Sequence, residues 1–235
     1  LEWLKEHHET LDVCLVGEPT NVEKLGDMIK IGRRGSLNAD ITVQGTQGHV
    51  AYPHLAHNPI RHLLSLLKVL DDHTFDEGSD HFQPTNLEIT SIDVGNTTTN
   101  LIPAKASAQF NIRFNDQHTG VSINNYLESL RSQMTNCDYN IEMDVSISGD
   151  AFLTLPGDFS ELVSSAVFDI TGLIPELSTT GGTSDARFIK DHCQVVELGM
   201  INATAHKVNE NTKVDDIVAI TDIYEQVLKG FFGLT

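Results

Sequence analysis

The order of alternating and helical segments between residues 36 and 148 places the strongest constraint on the fold of this chain. Four segments alternate apolar and polar residues, as half-buried strands do: 36–45, 86–95, 104–114 and 139–148. Two segments carry apolar residues at helical spacing: 58–70 and 121–134. Asn58 stands in the N-cap position of the first helix, with Pro59 following it. The order β-α-β-β-α-β predicts a ferredoxin-like unit.

The segments on either side of this unit have the pattern of a second sheet. Short apolar runs typical of buried strands occur at 11–17 and 194–200, residues 27–33 have the pattern of a further strand, and amphipathic helices are predicted at 158–171 and 214–232. Residues 1–34 and 149–235 therefore form an α/β domain with too few strands to close a doubly wound sheet, and residues 35–148 are inserted into it. The predicted fold class is α/β, an incomplete sheet domain with a ferredoxin-like insertion.

Charge and cysteine content exclude several classes of partner. The 235 residues include 15 Lys plus Arg and 33 Asp plus Glu, which gives a net charge of −18. Such an acidic chain is unsuited to binding nucleic acid or an anionic membrane surface. Three widely spaced cysteines, without a C-x-x-C motif, indicate a reducing, cytoplasmic location. No run of 18 apolar residues predicts a transmembrane helix.

Two residues follow predicted buried strands closely enough to act at the edge of a sheet. Glu18, in G-E-P-T, comes directly after the first apolar run, and His206, in N-A-T-A-H-K-V-N-E, follows the 194–200 strand by a short loop. Ligands of open α/β sheets bind at this edge. The alternatives are a capping carboxylate and a surface histidine. One Glu and one His do not complete a zinc site, which needs at least three protein ligands.

Two further features suit the stabilisation of negative charge. His49 lies in a turn between Gly48 and Pro53, and is either a loop histidine or a donor to a developing oxyanion. The segment 181–185, G-G-T-S-D, precedes a short helix, so Thr183 or Ser184 either caps that helix or helps to bind an anion. No Walker A motif and no G-x-S-x-G motif occurs, which disfavours nucleotide binding and a serine nucleophile.

Two arginines close alternating segments of this acidic chain. Arg33 and Arg113 are either solvated or ion-paired, or they bind a carboxylate in bidentate fashion. The residue pattern alone leaves these alternatives open.

A set of motifs, in one order from residue 11 onward, resembles the M20 metallopeptidase family and in particular its desuccinylase branch. The motifs are G-E-P-T at 17–20, G-R-R-G-S at 32–36, Q-G-x-x-G-H-V-A-Y-P-H at 44–54, N-P-I at 58–60, T-N-L-I-P-A at 99–104, S-G-D-A-F-L-T at 148–154, G-G-T-S-D-A-R-F at 181–188 and N-A-T-A-H-K-V-N-E at 202–210. The segments G-H-V-A-Y-P-H and H-K-V-N-E carry the branch-specific part of the resemblance.

The resemblance implies a metal-dependent amidohydrolase that acts as a dimer. It implies two zinc ions in each complete site, with cobalt as a possible substitute, and a catalytic domain that carries an inserted dimerisation lid, here residues 35–148. The reaction implied is the release of succinate from N-succinyl-LL-2,6-diaminopimelate, in lysine and diaminopimelate biosynthesis. The substrate is a small amide bearing carboxylates, and neither nucleic acid nor membrane is an expected partner.

The resemblance also implies a role for particular residues of this chain. Glu18 would ligate one zinc and His206 the other, while His49 would reach across the dimer to the oxyanion. The substrate-binding residues that it implies are Arg33, Tyr52, Asn100, Arg113, Gly182, Thr183, Ser184 and Asn202, with Asn100 acting on the partner's site.

This chain departs from the family pattern in the rest of the catalytic machinery. The family's H-x-D ligands and its Glu-Glu pair, which supplies the general base, are absent from the sequence. We therefore expect the chain to correspond to the C-terminal part of the enzyme and to be inactive alone. The alternatives are another M20 amidohydrolase, such as an acetylornithine deacetylase or a carboxypeptidase, and a non-catalytic dimerising module.

Overall fold

A computed structural model describes residues 1–234 of the chain. Thr235, which ends the predicted α/β domain segment 149–235, lies outside the described residues. Within the described residues, no helix has both the length and the apolar character needed to cross a membrane. The elements, in chain order, are α1 (Glu2–Glu6), β1 (Val13–Val16), β2 (Met28–Lys30), β3 (Gly32–Arg33), β4 (Gly35–Gln44), β5 (Gly48–His49), α2 (Pro59–Asp71), β6 (Asn86–Asp93), β7 (Leu101–Ile102), β8 (Lys105–Phe114), α3 (Gly120–Met134), β9 (Asn140–Gly149), β10 (Phe152–Leu153), α4 (Asp158–Thr171), β11 (Glu176–Ser178), α5 (Ala186–Ile189), β12 (Gln194–Glu197) and α6 (Val214–Phe232).

The chain divides into two compact units. Residues Gly35–Ala151 form the first, called here the ferredoxin-like unit. Residues 1–34 and the described residues from 152 to 234 form the second, called here the mixed-sheet unit. The observed division thus assigns residues 149–151 to the insertion rather than to the segment that follows it.

The ferredoxin-like unit has the predicted β-α-β-β-α-β order. Its four long strands form an antiparallel sheet in the order β6-β8-β4-β9. Alternate residues of β4 and β8 bury their side chains against α2 and α3, and Leu37, Phe110 and Leu127 are completely or almost completely inaccessible to solvent. Asn58 caps α2, as predicted, because its side chain accepts a hydrogen bond of 3.0 Å from the backbone N–H of Ile60.

The mixed-sheet unit contains a four-stranded sheet in the order β1-β12-β2-β11. The β1–β12 and β11–β2 pairs are parallel, and β12 and β2 meet antiparallel. Helices α4 and α6 have the predicted bounds, and Val163, Val167 and Ile223 pack with the buried residues of β2 and β12. This arrangement confirms an α/β sheet domain interrupted by a ferredoxin-like insertion.

Several short strands do not follow from the sequence pattern. Strand β11 lies just before the Gly-rich segment 181–185, and β5 pairs with β7 in a two-stranded ribbon. These strands have two or three residues, which is too short for alternation to be visible, and tertiary pairing forms them.

Candidate functional site

Strands β1 and β12 bring the loops that carry Glu18 and His206 to the same edge of the mixed sheet. The two strands are parallel neighbours, with Val16 opposite Glu197 at their carboxyl ends. Glu18 is half-buried and follows β1 by two residues, while the loop after β12 runs through the exposed Asn202 and His206. The structure therefore places both predicted metal ligands on loops that leave the carboxyl edge, where open sheets bind ligands.

Two buried polar residues fasten these loops together. The side-chain amide of Asn21 donates to the carbonyl oxygen of Gly199 at 2.6 Å, and its oxygen accepts from the backbone N–H of Gly26 at 2.9 Å. The hydroxyl of Thr20 accepts from the backbone N–H of Gly199 at 3.3 Å. The sequence analysis assigns no role to Thr20, which ends the G-E-P-T motif, or to Asn21, which follows it; both are buried polar residues.

The donors at this edge have the chemistry that zinc prefers but not the required number. A carboxylate and an imidazole are both common zinc ligands. His206 is exposed and adopts a left-handed backbone conformation with φ of 61°. Its backbone N–H donates to the carboxylate of Glu210 at 3.3 Å. Residues 1–234 contain no group of three or more His, Cys, Asp or Glu side chains that could hold a metal ion. The described residues thus do not form a complete metal site.

A buried carboxylate, Glu197 at the end of β12, organises the next group of predicted residues. Its side chain is 1% exposed and receives hydrogen bonds from Nε (2.9 Å) and Nη2 of Arg33. The hydroxyl of Ser184 donates to the other oxygen of the same carboxylate. Arg33 is therefore ion-paired within the protein, one of the alternatives for this residue. The sequence analysis does not name Glu197; the signal that could have found it is a single acidic residue within the apolar run 194–200.

Lys30 is a second buried cation beside this carboxylate. Its Nζ donates to the hydroxyls of Ser178 at 3.2 Å and Thr180 at 2.6 Å. Burial, together with the nearby charge of Arg33, lowers the pKa of Lys30 to about 8. The residue holds the end of β11, from which the Gly-rich turn begins.

We expect the contribution of Lys30 to the free energy of unfolding to rise with pH between about 8 and about 10.5. In that window the unfolded chain binds a proton that the native chain has released, so stability increases with pH; below about 8 and above about 10.5 the contribution is constant. Urea unfolding at pH 7, 9 and 10.5 checks this. The Lys30→Met variant should lose the increase, whereas the exposed Lys229→Met variant should keep it. Equal pH dependence in wild type and Lys30→Met would contradict the assignment.

The Gly-rich turn lies between these anchored residues. Gly181, Gly182 and Thr183 are exposed, and Gly181 has a φ of +107°, which a side chain would disfavour. Ser184 is buried, and Asp185 rather than Thr183 or Ser184 is the N-cap of α5. Helix α5 has four residues, and the carboxylate of Asp185 stands at its start, so the helix terminus alone offers an anion little attraction.

A ribbon in the ferredoxin-like unit groups three other predicted residues. His49 in β5 pairs with Leu101 in β7, and the backbone N–H of Val50 donates to the carbonyl of Asn100 at 3.1 Å. The ring of Tyr52 lies 5.8 Å from that of His49. Nδ1 of His49 accepts from the backbone N–H of Ala51 at 3.0 Å, so a neutral His49 carries its hydrogen on Nε2. The exposed imidazole can therefore donate from Nε2.

Arg113 differs from Arg33 in its hydrogen bonding. It lies on β8 in register with Ser36 and Asn86, and is half-buried. Its Nη1 is shielded from solvent and has no hydrogen-bond partner among the described residues. An unpaired buried donor is costly, so an acceptor that reached this nitrogen would stabilise it.

An apolar cavity of the mixed-sheet unit does not include these residues. It has a volume of about 480 Å³ and lies between β1 and α6, lined by Leu11, Leu15, Tyr224 and Phe231 among others. Its apolar lining and the absence of a cationic side chain make it unsuited to a dicarboxylate.

Comparisons with known proteins agree with the resemblance of the motifs. Residues 31–135 match the peptidase dimerisation domain of the M20 family. The chain is 58% identical over 234 residues to a succinyl-diaminopimelate desuccinylase of Parvibaculum lavamentivorans. This alignment covers 99% of this chain and 59% of the relative. The chain is 51% identical over 235 residues to the protein of that name from Ehrlichia canis, with 100% and 61% covered. The chain thus spans about three fifths of the length of these relatives.

Solved structures share the fold at low sequence identity. A tripeptidase of Staphylococcus aureus matches with a TM-score of 0.77 at 16% identity, over 97% of this chain and 59% of that one. An M20 metallo-carboxypeptidase of Sulfolobus solfataricus matches with a TM-score of 0.79 at 14% identity, over 97% and 66%. These likenesses confirm the fold class that the sequence predicts.

Proposed function

We propose that this chain belongs to the M20 metallopeptidase family and is part of a dimeric amidohydrolase that releases succinate from N-succinyl-LL-2,6-diaminopimelate. The match of residues 31–135 to a peptidase dimerisation domain and the likeness of the chain to succinyl-diaminopimelate desuccinylases support this proposal. The observation that carries this proposal is the identity of 58% along almost the whole chain. The three free cysteines suit a cytoplasmic enzyme.

Glu18 and His206 each contribute one ligand to a two-zinc site in this proposal. Their position on loops from adjacent parallel strands supports the assignment, as does the chemistry of the two donors. Because residues 1–234 contain no group of three or more such side chains that could hold a metal ion, the proposed site needs ligands beyond Glu18 and His206. When bound, zinc would supply Lewis-acid chemistry at the amide carbonyl, and cobalt is a possible substitute. The chain alone is proposed to be inactive.

The ribbon of the ferredoxin-like unit supplies donors to the substrate. His49 offers Nε2–H to the oxyanion, and Tyr52 and Asn100 lie beside it on the same ribbon. Pairing of this unit with a second copy would let His49 and Asn100 serve the partner's site, and the match to a peptidase dimerisation domain supports such pairing.

The remaining predicted residues bind the carboxylates of the substrate. Arg113 brings an unpaired buried donor, and Gly182 and Thr183 present an exposed turn. Asn202 is exposed on the loop that follows β12, and Arg33 and Ser184 lie directly beside the turn. Few cations are available in a chain of net charge −18, which makes the placement of each decisive for a dianionic substrate.

A chimeric protein tests the proposal. The segment of the Parvibaculum lavamentivorans relative that lies outside its match to this chain is joined to this chain, and both the chimera and the chain alone are assayed with zinc. We expect the chimera to hydrolyse N-succinyl-LL-2,6-diaminopimelate in preference to N-acetylornithine, and the chain alone to be inactive. His49→Ala in the chimera should lower kcat about 10²–10³-fold, as the loss of other oxyanion donors does.

The intact relative serves as the positive control for the assay, and sedimentation confirms the oligomeric state. A chimera that folds and dimerises yet hydrolyses no succinyl amide would overturn the proposal and favour a non-catalytic dimerising module. Preference for the acetyl substrate would favour a neighbouring amidohydrolase. Hydrolysis by the chain alone would contradict its expected inactivity.

A further inference from the structure

Glu197 is linked to both sides of the exposed Gly-rich turn, directly to Ser184 after it and through Arg33 to Thr180 before it. Its carboxylate is 1% exposed, and burial of an unpaired carboxylate would be strongly unfavourable. One of its oxygens is bound by Arg33, and the other by the hydroxyl of Ser184. Ser184 directly follows the exposed residues Gly182 and Thr183, so this bond fixes the end of the turn.

Arg33 connects the same carboxylate to the start of the turn. While its Nε and Nη2 face Glu197, its Nη1 donates to the carbonyl oxygen of Thr180 at 3.3 Å. A Cβ atom on Gly181 would lie 2.5 Å from this Nη1, so the backbone passes directly against the guanidinium. Lys30 adds a bond of 2.6 Å to the hydroxyl of Thr180. The backbone before and after the turn is therefore held through one anion.

We propose that Glu197 is a positioning residue that, through Arg33 and Ser184, sets the shape of the Gly182–Thr183 turn for binding of a substrate carboxylate. The proposal rests on the proposed function insofar as the turn binds substrate. Glu197 itself does not touch the substrate: its two oxygens are occupied and its side chain is buried. It acts through Ser184 and Arg33. The backbone of the turn is thereby held in place before a carboxylate arrives, which reduces the entropy lost on binding.

Hydrogen exchange of this chain tests the positioning role without any assay of activity. In Glu197→Gln, which keeps the size of the side chain and removes its charge, we expect amide exchange across residues 181–187 to increase by about tenfold or more. Exchange in the ferredoxin-like unit and in α4 should stay unchanged. The matched control is Glu161→Gln on the exposed side of α4. It should leave exchange unchanged both at residues 181–187 and in the ferredoxin-like unit.

Ser184→Ala keeps the test decisive if Glu197→Gln does not fold. It removes the tether at the end of the turn and leaves the Arg33–Glu197 pair, so we expect a smaller increase confined to the same residues. A folded Glu197→Gln with unchanged exchange at 181–187 would overturn the proposal. If that variant does not fold, unchanged exchange in Ser184→Ala would overturn it.

Kinetics of the chimera separate this proposal from the proposed function. We expect Glu197→Gln to raise KM for the succinyl substrate by about tenfold, with a smaller change in kcat, and Glu197→Asp to restore part of the loss. A roughly tenfold loss of kcat with no change in KM would contradict a role in carboxylate binding. If the unmodified chimera is inactive, the proposed function fails, whereas the exchange measurement still decides whether Glu197 holds the turn.

Discussion

Replacing Arg33 with Met is expected to lower the free energy of unfolding of the mixed-sheet unit by about 3–5 kcal/mol. The substitution removes the guanidinium and leaves Glu197 as a buried carboxylate with Ser184 as its remaining direct donor. A single hydroxyl cannot replace the charge of an arginine in an environment that excludes water. Urea unfolding followed by circular dichroism at pH 7 measures the effect.

Two controls separate this effect from the loss of an ordinary ion pair. Lys229→Met breaks the exposed pair of Lys229 and Glu225 on α6, and we expect a change of about 0.5 kcal/mol or less. The double substitution Arg33→Met with Glu197→Leu removes both buried charges, and it should recover a large part of the stability lost in the single variant. A cost below about 1 kcal/mol for Arg33→Met would mean that the Glu197 charge does not depend on its partner.

Gly199→Ala is the second substitution expected to have a large effect, about 3 kcal/mol, and it acts on the edge that carries Glu18. A Cβ atom at this position would lie 2.3 Å from the carbonyl oxygen of Glu18 and 2.8 Å from that of Gly17. Both are backbone atoms, which cannot rotate away as a side chain can. The two loops must separate, and the hydrogen bonds that Asn21 and Thr20 make to Gly199 would be strained or lost.

Gly182→Ala is the matched control for this prediction. A Cβ atom on Gly182 would meet no atom within 4 Å, so its stability should stay within about 0.5 kcal/mol of wild type. Thermal and urea unfolding of both variants measure the difference. Wild-type stability in Gly199→Ala would show that the loops after β1 and β12 are not held as closely as the structure indicates.

The sequence predicts those parts of the fold that depend on long local patterns. Helices α4 and α6 have the bounds that apolar spacing indicates, and Asn58 caps α2 as its position before Pro59 suggests. The ferredoxin-like order follows from four long alternating strands and two helices, because each segment carries its own period. The resemblance to the M20 family also follows, because the motifs that carry it lie along most of the chain.

The contacts that organise the candidate site could not be predicted in this way. Arg33 and Glu197 are 164 residues apart, and Asn21 and Gly199 are 178 apart, so no local spacing links them. The choice between an ion-paired and a substrate-binding Arg33 depends on a partner that the pattern does not identify. The tautomer of His49 likewise depends on the backbone N–H of Ala51, which only the turn geometry brings to Nδ1. The roles of these residues toward substrate and metal remain predictions.

The pairing of Ser36 with Gly149, at opposite ends of the insertion, has a consequence for how the chain can fold. Once β4 and β9 have paired, the two exits of the inserted segment are neighbours. The entropy needed to join Arg33 to Phe152 in the β3–β10 pair is then that of closing a short link rather than the whole insertion. An insertion that folds first thus lowers the effective sequence separation of every contact between the two halves of the mixed sheet, including the buried pair of Arg33 and Glu197.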